Sequence, residues 1–139
     1  MPKFRLRTIN RLLWTAQGLA AVVFIFAGSM KFIMSAAQMQ QGPVVFPIAF
    51  LHFIGACECL GALGLLLPGI FRIRTSLTPL AAAGLTVIMI GATAVTVWTM
   101  SVPAAILPAT LGIITAGIAY GRSRVAPLAA GSIRMLDAH

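Results

Sequence analysis

Residues 75–121 read TSLTPLAAAGLTVIMIGATAVTVWTMSVPAAILPATLGIITAGIAYG and contain no charged side chain. A helix needs about 20 predominantly apolar residues to cross the hydrocarbon core of a bilayer. This stretch is therefore long enough for two membrane-spanning helices joined by a tight turn. Earlier in the sequence, residues 12–30 are also uncharged, and residues 32–71 contain one charged side chain, that of Glu58.

These runs predict an all-α integral membrane protein, a bundle of four transmembrane helices. We place the spans at approximately 12–35, 47–70, 76–99 and 103–121, in a single domain that covers residues 1–139. The composition agrees, because 60% of the residues are apolar and 9% are charged, whereas about a quarter of the residues of a soluble domain are charged. Pro68 and Gly69 are expected to break the second helix just before Arg72.

The basic residues are distributed unequally between the two sides of these spans. Only Lys31 falls toward one side, and the other nine fall on the opposite side: Lys3, Arg5, Arg7, Arg11, Arg72, Arg74, Arg122, Arg124 and Arg134. Lysine and arginine are enriched in cytoplasmic loops, so both termini are predicted to be cytoplasmic. This asymmetry accounts for the net charge of +8 without nucleic-acid binding, and we expect a multi-pass protein of a bacterial inner (plasma) membrane.

Glu58 is the most informative residue, because it lies near the middle of the second predicted span. An acid at the centre of a membrane helix costs about 2.5–3.5 kcal/mol by insertion scales, so it should face the bundle interior, protonated or paired. The candidate partners are Lys31, near the outer end of the first span, and His52, in the same helix as Glu58. We treat Glu58, Lys31 and His52 as a candidate functional polar cluster. It is either a polar lock between helices or part of a ligand pocket or proton path.

The residue sets of common soluble enzymes are missing from the sequence. It has no metal-ligand cluster, no phosphate-binding loop, no dinucleotide fingerprint and no Ser-His-Asp set. Cys57 and Cys59 flank Glu58, but side chains two residues apart on a helix point in directions about 200° apart and cannot form a disulfide within it. We interpret both cysteines as structural, and no cofactor is evident.

Two segments resemble the DoxX-like family of small four-helix membrane proteins: FIFAGSMKF (24–32) and IGACECLGALGLLLPGIFR (54–72). Such proteins typically have a Gly-x-x-Lys near the end of the first span, an acid in the second span and a Leu-Pro close to its end. The matching positions here are Gly28, Lys31, Glu58, Leu67 and Pro68. The resemblance implies a four-helix fold. The family takes its name from a subunit of an archaeal thiosulfate:quinone oxidoreductase, but many of its members have no settled activity, so the resemblance bears on the fold much more than on the function, with quinone as a possible ligand.

Three functions remain open at this point. The favoured one is an accessory or redox-associated membrane subunit without catalytic activity, which packs against a redox or other membrane protein and has a quinone- or lipid-type ligand pocket around Glu58. The alternatives are a proton-coupled small-molecule transporter that uses Glu58, and a membrane enzyme that acts on a lipid-soluble substrate. The lipid bilayer is an expected partner in each case, and a homo-oligomer is compatible with all three.

Overall fold

The computed structural model of the chain describes residues 3–129. Its α-helices are α1 (Lys3–Ile33), α2 (Ala36–Met39), α3 (Ile48–Phe71), α4 (Leu77–Thr99) and α5 (Ile106–Tyr120). A 3-10 turn at Pro103–Ala105 precedes α5, and a π-helical turn at Gly121–Val125 follows it. Residues 3–129 form no β-strand.

Four helical segments are long and apolar enough to cross a membrane: α1, α3, α4 and the continuous segment Pro103–Val125. The prediction of an all-α bundle with four transmembrane helices is confirmed, and the chain is an integral membrane protein. The predicted boundaries agree within a few residues except at the start of α1, which begins at Lys3 rather than near residue 12. The first turns of α1 carry charged residues and extend the helix beyond its apolar part.

The helices form a closed ring in which α1 packs on α3, α3 on α4, α4 on α5, and α5 on α1. Their inward faces supply the core, which consists of Ala20, Ala21, Phe24, Ala62, Leu65, Ala82, Leu85, Met89 and Ile118. Many large apolar side chains point outward, among them Phe26, Leu60 and Ile113. Such an exterior suits lipid, which leaves helix association to close packing and polar contacts.

The backbones of α1 and α3 approach each other most closely at Gly28 and Gly55. A Cβ atom on Gly28 would lie 2.7 Å from the carbonyl oxygen of Gly55 and 2.7 Å from the Sγ atom of Cys59. A Cβ atom on Gly55 would lie 2.9 Å from the carbonyl oxygen of Gly28. Small residues at helix contacts permit this approach in membrane proteins, so the two glycines set the separation of α1 and α3.

Pro68 lies inside α3, which ends at Phe71, just before Arg72 as the sequence predicts. Proline lacks the N–H that would bond to the carbonyl four residues earlier, but neighbouring side chains can satisfy backbone groups near a proline in a membrane helix. The carbonyl that loses the N–H of Pro68 is that of Gly64, and the side-chain amide of Gln17 on α1 donates to the carbonyl of the next residue, Leu65. The helix ends at Arg72, whose left-handed backbone (φ 54°) lets its N–H donate to the carbonyl of Pro68.

We call one end of the bundle the basic end. It consists of the start of α1, the end of α3, the start of α4 and the end of the segment Pro103–Val125. It carries Lys3, Arg5, Arg7, Arg11, Arg72, Arg74, Arg122 and Arg124. Arg134 and the C-terminus, for which the sequence predicted the same side, lie outside the described residues. The side of the membrane that the basic end faces stays a prediction.

The close contact at Gly28 leads to a stability prediction. Gly28→Ala should lower the free energy of unfolding by about 1–3 kcal/mol, the usual cost of overpacking, because the new methyl group meets backbone and a thiol. The matched variant is Gly84→Ala, since a Cβ atom on Gly84 has nothing within 4 Å and alanine is the better helix former. Thermal unfolding in one detergent should give a lower Tm for Gly28→Ala only. Equal Tm values for the two variants would contradict the contact.

Candidate functional site

An ion pair joins α1 and α3 in the interior of the membrane-spanning bundle. The ammonium Nζ of Lys31 donates to Oε2 of Glu58 at 2.7 Å. The Glu58 side chain is 4% exposed and that of Lys31 is 26% exposed. Glu58 lies near the middle of α3, where an unpaired charge would be costly, and Lys31 lies in the last turn of α1. The structure thus brings together two of the three residues that the sequence singled out.

The glycine contact positions this pair. Gly28 precedes Lys31 by three residues on α1, and Gly55 precedes Glu58 by three residues on α3. Side chains three apart on a helix lie on the same face, so both charged residues lie one turn from the point where the helices touch. The Cβ of Lys31 would be 3.1 Å from a Cβ placed on Gly55. Close packing of α1 on α3 is therefore what brings the ammonium within hydrogen-bond distance of the carboxylate.

The ion pair leaves hydrogen-bonding groups unused. Besides Glu58, the one hydrogen-bond partner of the Lys31 ammonium in the described part of the chain is the carbonyl of Ala27, at 3.4 Å, and an ammonium has three N–H groups to donate. The second carboxylate oxygen of Glu58, Oε1, accepts no hydrogen bond from residues 3–129. The pair therefore retains one donor and one acceptor that a bound molecule could use.

A cavity of about 500 Å³ adjoins the ion pair. Apart from Lys31 and Glu58, its lining is almost wholly apolar and comes from α3, α4 and the segment before α3: Phe46, Phe50, Leu51, Ile54, Val87, Ile88, Gly91, Ala92, Val95 and Thr96. The hydroxyl of Thr96 donates back to the carbonyl of Ala92 at 2.7 Å. Phe50 is 46% exposed and Val87 is 69% exposed, so the cavity opens on the outer, lipid-facing surface between α3 and α4.

His52 does not join the ion pair. Its ring stacks on Phe32 of α1, with a centroid distance of 5.2 Å and an interplanar angle of 20°. It makes no hydrogen bond with Lys31 or Glu58 within the described part of the chain, and it does not line the cavity. Because His52 and Glu58 are six residues apart on one helix, their side chains point about 120° apart.

A second polar cluster, around Arg122, was not singled out in the sequence. Arg122 is 2% exposed; its Nε donates to Oε1 of Gln17 at 2.6 Å, and its Nη1 donates to Oδ1 of Asn10 at 2.6 Å. Its guanidinium also lies over the Trp14 ring, 5.4 Å from the centroid. The sequence analysis counted Arg122 only as one of nine cations on one side. The available signal was Gln17, a polar residue within an otherwise apolar run.

Neither cysteine is bonded to the other. Cys57 and Cys59 are free and half-buried, and the thiol of Cys59 lies at the contact with Gly28. Over residues 3–129, no three His, Cys, Asp or Glu side chains lie close enough together to hold a metal ion.

The Lys31–Glu58 pair predicts strong energetic coupling. Lys31→Met and Glu58→Gln should each lower the free energy of unfolding, because breaking a buried ion pair from one side costs about 3–5 kcal/mol, and less where one partner is partly exposed. The double variant should be more stable than the sum of the single changes indicates, with a coupling above about 1 kcal/mol. Chemical unfolding of the four proteins in mixed micelles measures this coupling. Additivity within about 0.5 kcal/mol would show that the pair does not couple the helices.

Comparison with known proteins is consistent with this geometry. The profile of the DoxX-like family matches residues 15–118, a range that includes Gly28, Lys31, Glu58 and Pro68. No curated protein matches the chain, and no solved structure does. Since the family match covers most of the sequence and all four membrane-spanning helices in whole or in large part, the chain belongs to the DoxX-like family.

Proposed function

We propose that this protein holds a quinone-type lipophilic molecule in the cavity beside Lys31 and Glu58, as a non-catalytic subunit of a redox-associated membrane assembly. One observation carries the proposal. A buried ion pair with an unused donor and an unused acceptor forms one wall of an apolar cavity that opens toward lipid. A polar anchor in an apolar, lipid-accessible site suits a molecule that is itself dissolved in the bilayer.

The chemistry of a quinone fits these groups. Its ring is flat and apolar, and its carbonyl oxygens accept hydrogen bonds, which the free N–H of Lys31 would donate. Its reduced form carries hydroxyl groups, which would donate to Oε1 of Glu58. The cavity volume of about 500 Å³ falls within the range of about 300–1,000 Å³ that small-molecule sites occupy. The isoprenoid tail would leave through the opening near Phe50 and Val87.

The lining also supports a binding role over catalysis. Among residues 3–129, Lys31 and Glu58 are the only charged residues that line the cavity, and they bond to each other. General acid–base chemistry needs a group that exchanges protons with substrate, and in this structure Glu58 already accepts from Lys31. Protonation of Glu58, which a membrane enzyme or a proton-coupled transporter would require, would weaken its bond to Lys31.

The proposal includes a location and a partner. The basic end would face the cytoplasm of a bacterial inner membrane, on the strength of the excess of lysine and arginine at that end. Electrons would reach the bound quinone from a redox protein that associates with the bundle. The support for such a partner is the resemblance of Gly28, Lys31, Glu58 and the Leu67-Pro68 pair to the family pattern.

A pair of glycine variants on α4 tests the cavity. Gly91 lines it and Gly84 does not, and a Cβ atom has nothing within 4 Å at either position. Gly91→Phe should fill the cavity and weaken binding of a short-chain ubiquinone at least tenfold, about 1.4 kcal/mol. Gly84→Phe should bind within twofold of the wild type. Titration of the purified proteins in detergent, followed by the quenching of tryptophan fluorescence, measures both affinities.

Several results would contradict the proposal. Equal affinities of Gly91→Phe and Gly84→Phe, with Tm values matching the wild type, would place ubiquinone elsewhere or nowhere on the protein. Proton-linked flux of a solute into proteoliposomes that Glu58→Gln abolishes would favour the transporter. Turnover of a lipid-soluble substrate that is lost in Glu58→Gln while the fold stays intact would favour the enzyme.

A further inference from the structure

A second cavity lies at the basic end of the bundle, remote from Glu58. It has a volume of about 640 Å³ and forms where α1, the end of α3 and the chain after α5 meet. Arg7, Asn10 and Trp14 of α1 line one side, Gly69 and Arg72 of α3 line another, and residues 125–129 complete it. Two arginines from different helices therefore face the same space. Arg7, Asn10 and Trp14 precede the segment that matches the family, whereas Gly69 and Arg72 lie within it.

The buried, positively charged side chain of Arg122 lies next to the lining of this cavity. Asn10 and Trp14, which line the cavity, are also contacts of Arg122, which is 2% exposed. The hydrogen-bond partners of Arg122 are the side chains of Gln17 and Asn10 and the carbonyl of Ala126, and all three are neutral. Its Nη2 is buried and has no partner within the described residues. The guanidinium charge is thus not compensated locally, and low surrounding polarity strengthens its field.

The described residues also offer no acid nearby. Within residues 3–129 the single acidic side chain is Glu58, which is paired with Lys31 on the far side of the core. The basic end holds eight lysine and arginine residues in the same range. Arg7, Arg72 and Arg122 therefore make this part of the described chain strongly positive.

We infer that this cavity binds the phosphate headgroup of an anionic phospholipid. Arginine guanidinium groups bind phosphate oxygens through paired hydrogen bonds, and Arg7 of α1 and Arg72 at the end of α3 both line this cavity. Trp14 marks the level of the headgroups, where tryptophan is enriched in membrane proteins. Anionic lipids gather at basic segments beside membrane helices, so a lipid is the source of phosphate that this position encounters most often.

Local backbone structure holds the two walls in place. Arg72 caps α3 in the left-handed conformation, with its N–H bonded to the carbonyl of Pro68, so its Cα position is fixed although its side chain is exposed. Gly69 leaves room for the indole of Trp14, since a Cβ atom there would lie 2.8 Å from the ring. Trp14 can therefore lie against α3 and form the apolar part of the cavity, next to Leu128.

Two charge-matched double variants test this site. Arg7→Gln with Arg72→Gln removes both cavity arginines, and Lys3→Gln with Arg124→Gln removes two exposed cations that do not line the cavity. Native mass spectrometry in detergent with equal phosphatidylglycerol and phosphatidylcholine would measure the bound lipids. We expect the wild type to retain phosphatidylglycerol preferentially. The cavity variant should bind it at least tenfold more weakly, and the control variant less than threefold more weakly.

The alternative outcomes are distinct. An equal loss of phosphatidylglycerol binding in the two double variants would show that net charge attracts the lipid, and it would contradict a specific site in the cavity. Equal retention of phosphatidylglycerol and phosphatidylcholine by the wild type would overturn it as well. Thermal stabilisation by free glycerol phosphate that equals the effect of phosphatidylglycerol would reassign the cavity to a soluble phosphate anion. Ubiquinone binding, measured on the same variants, should be unchanged, which separates this site from the Glu58 cavity.

Discussion

Close contact between the backbones of α1 and α3 at Gly28 and Gly55 is the constraint on which the rest of this structure depends. Lipid offers no hydrophobic force to hold helices together, so the packing of small residues has to do so. A side chain at either glycine would meet backbone atoms of the other helix. The same contact sets the distance between Lys31 and Glu58, one turn further along each helix, and so makes the ion pair geometrically accessible.

The ion pair lowers the cost of a charged carboxylate near the bilayer midplane, but it leaves hydrogen-bonding groups of both side chains unused. Oε2 of Glu58 is bonded to Lys31, whereas Oε1 and one N–H of the ammonium have no partner within the described residues. A purely structural lock between helices requires only the bond between Oε2 of Glu58 and Lys31. The apolar cavity at the same place, open toward lipid between α3 and α4, is what makes a ligand site the better interpretation.

The two polar clusters of the protein differ in how their charge is balanced. At Glu58 a cation meets an anion across the contact of α1 and α3. At the basic end Arg122 is buried among neutral amides and a tryptophan ring, and its neighbours Arg7 and Arg72 add further positive charge. Gln17 connects this cluster to the core, because it accepts from Arg122 and donates to the carbonyl of Leu65 beside the Pro68 turn. Gln17 thus links the buried arginine to the backbone of α3.

The sequence by itself determined the fold class, the number of membrane-spanning helices and the need of Glu58 for a partner, because bilayer thickness fixes the length of an apolar helix and a charged acid near the midplane is costly. It could not decide which cation pairs with Glu58, since the depth of Lys31 and of His52 is similar and only the packing of α1 on α3 distinguishes them. Nor could it show that Arg122 is buried or that Gln17 bonds to the backbone of α3. Both depend on Gln17 and Asn10 reaching across from α1, and contacts between residues about 50 to 110 positions apart arise only when the helices are packed together.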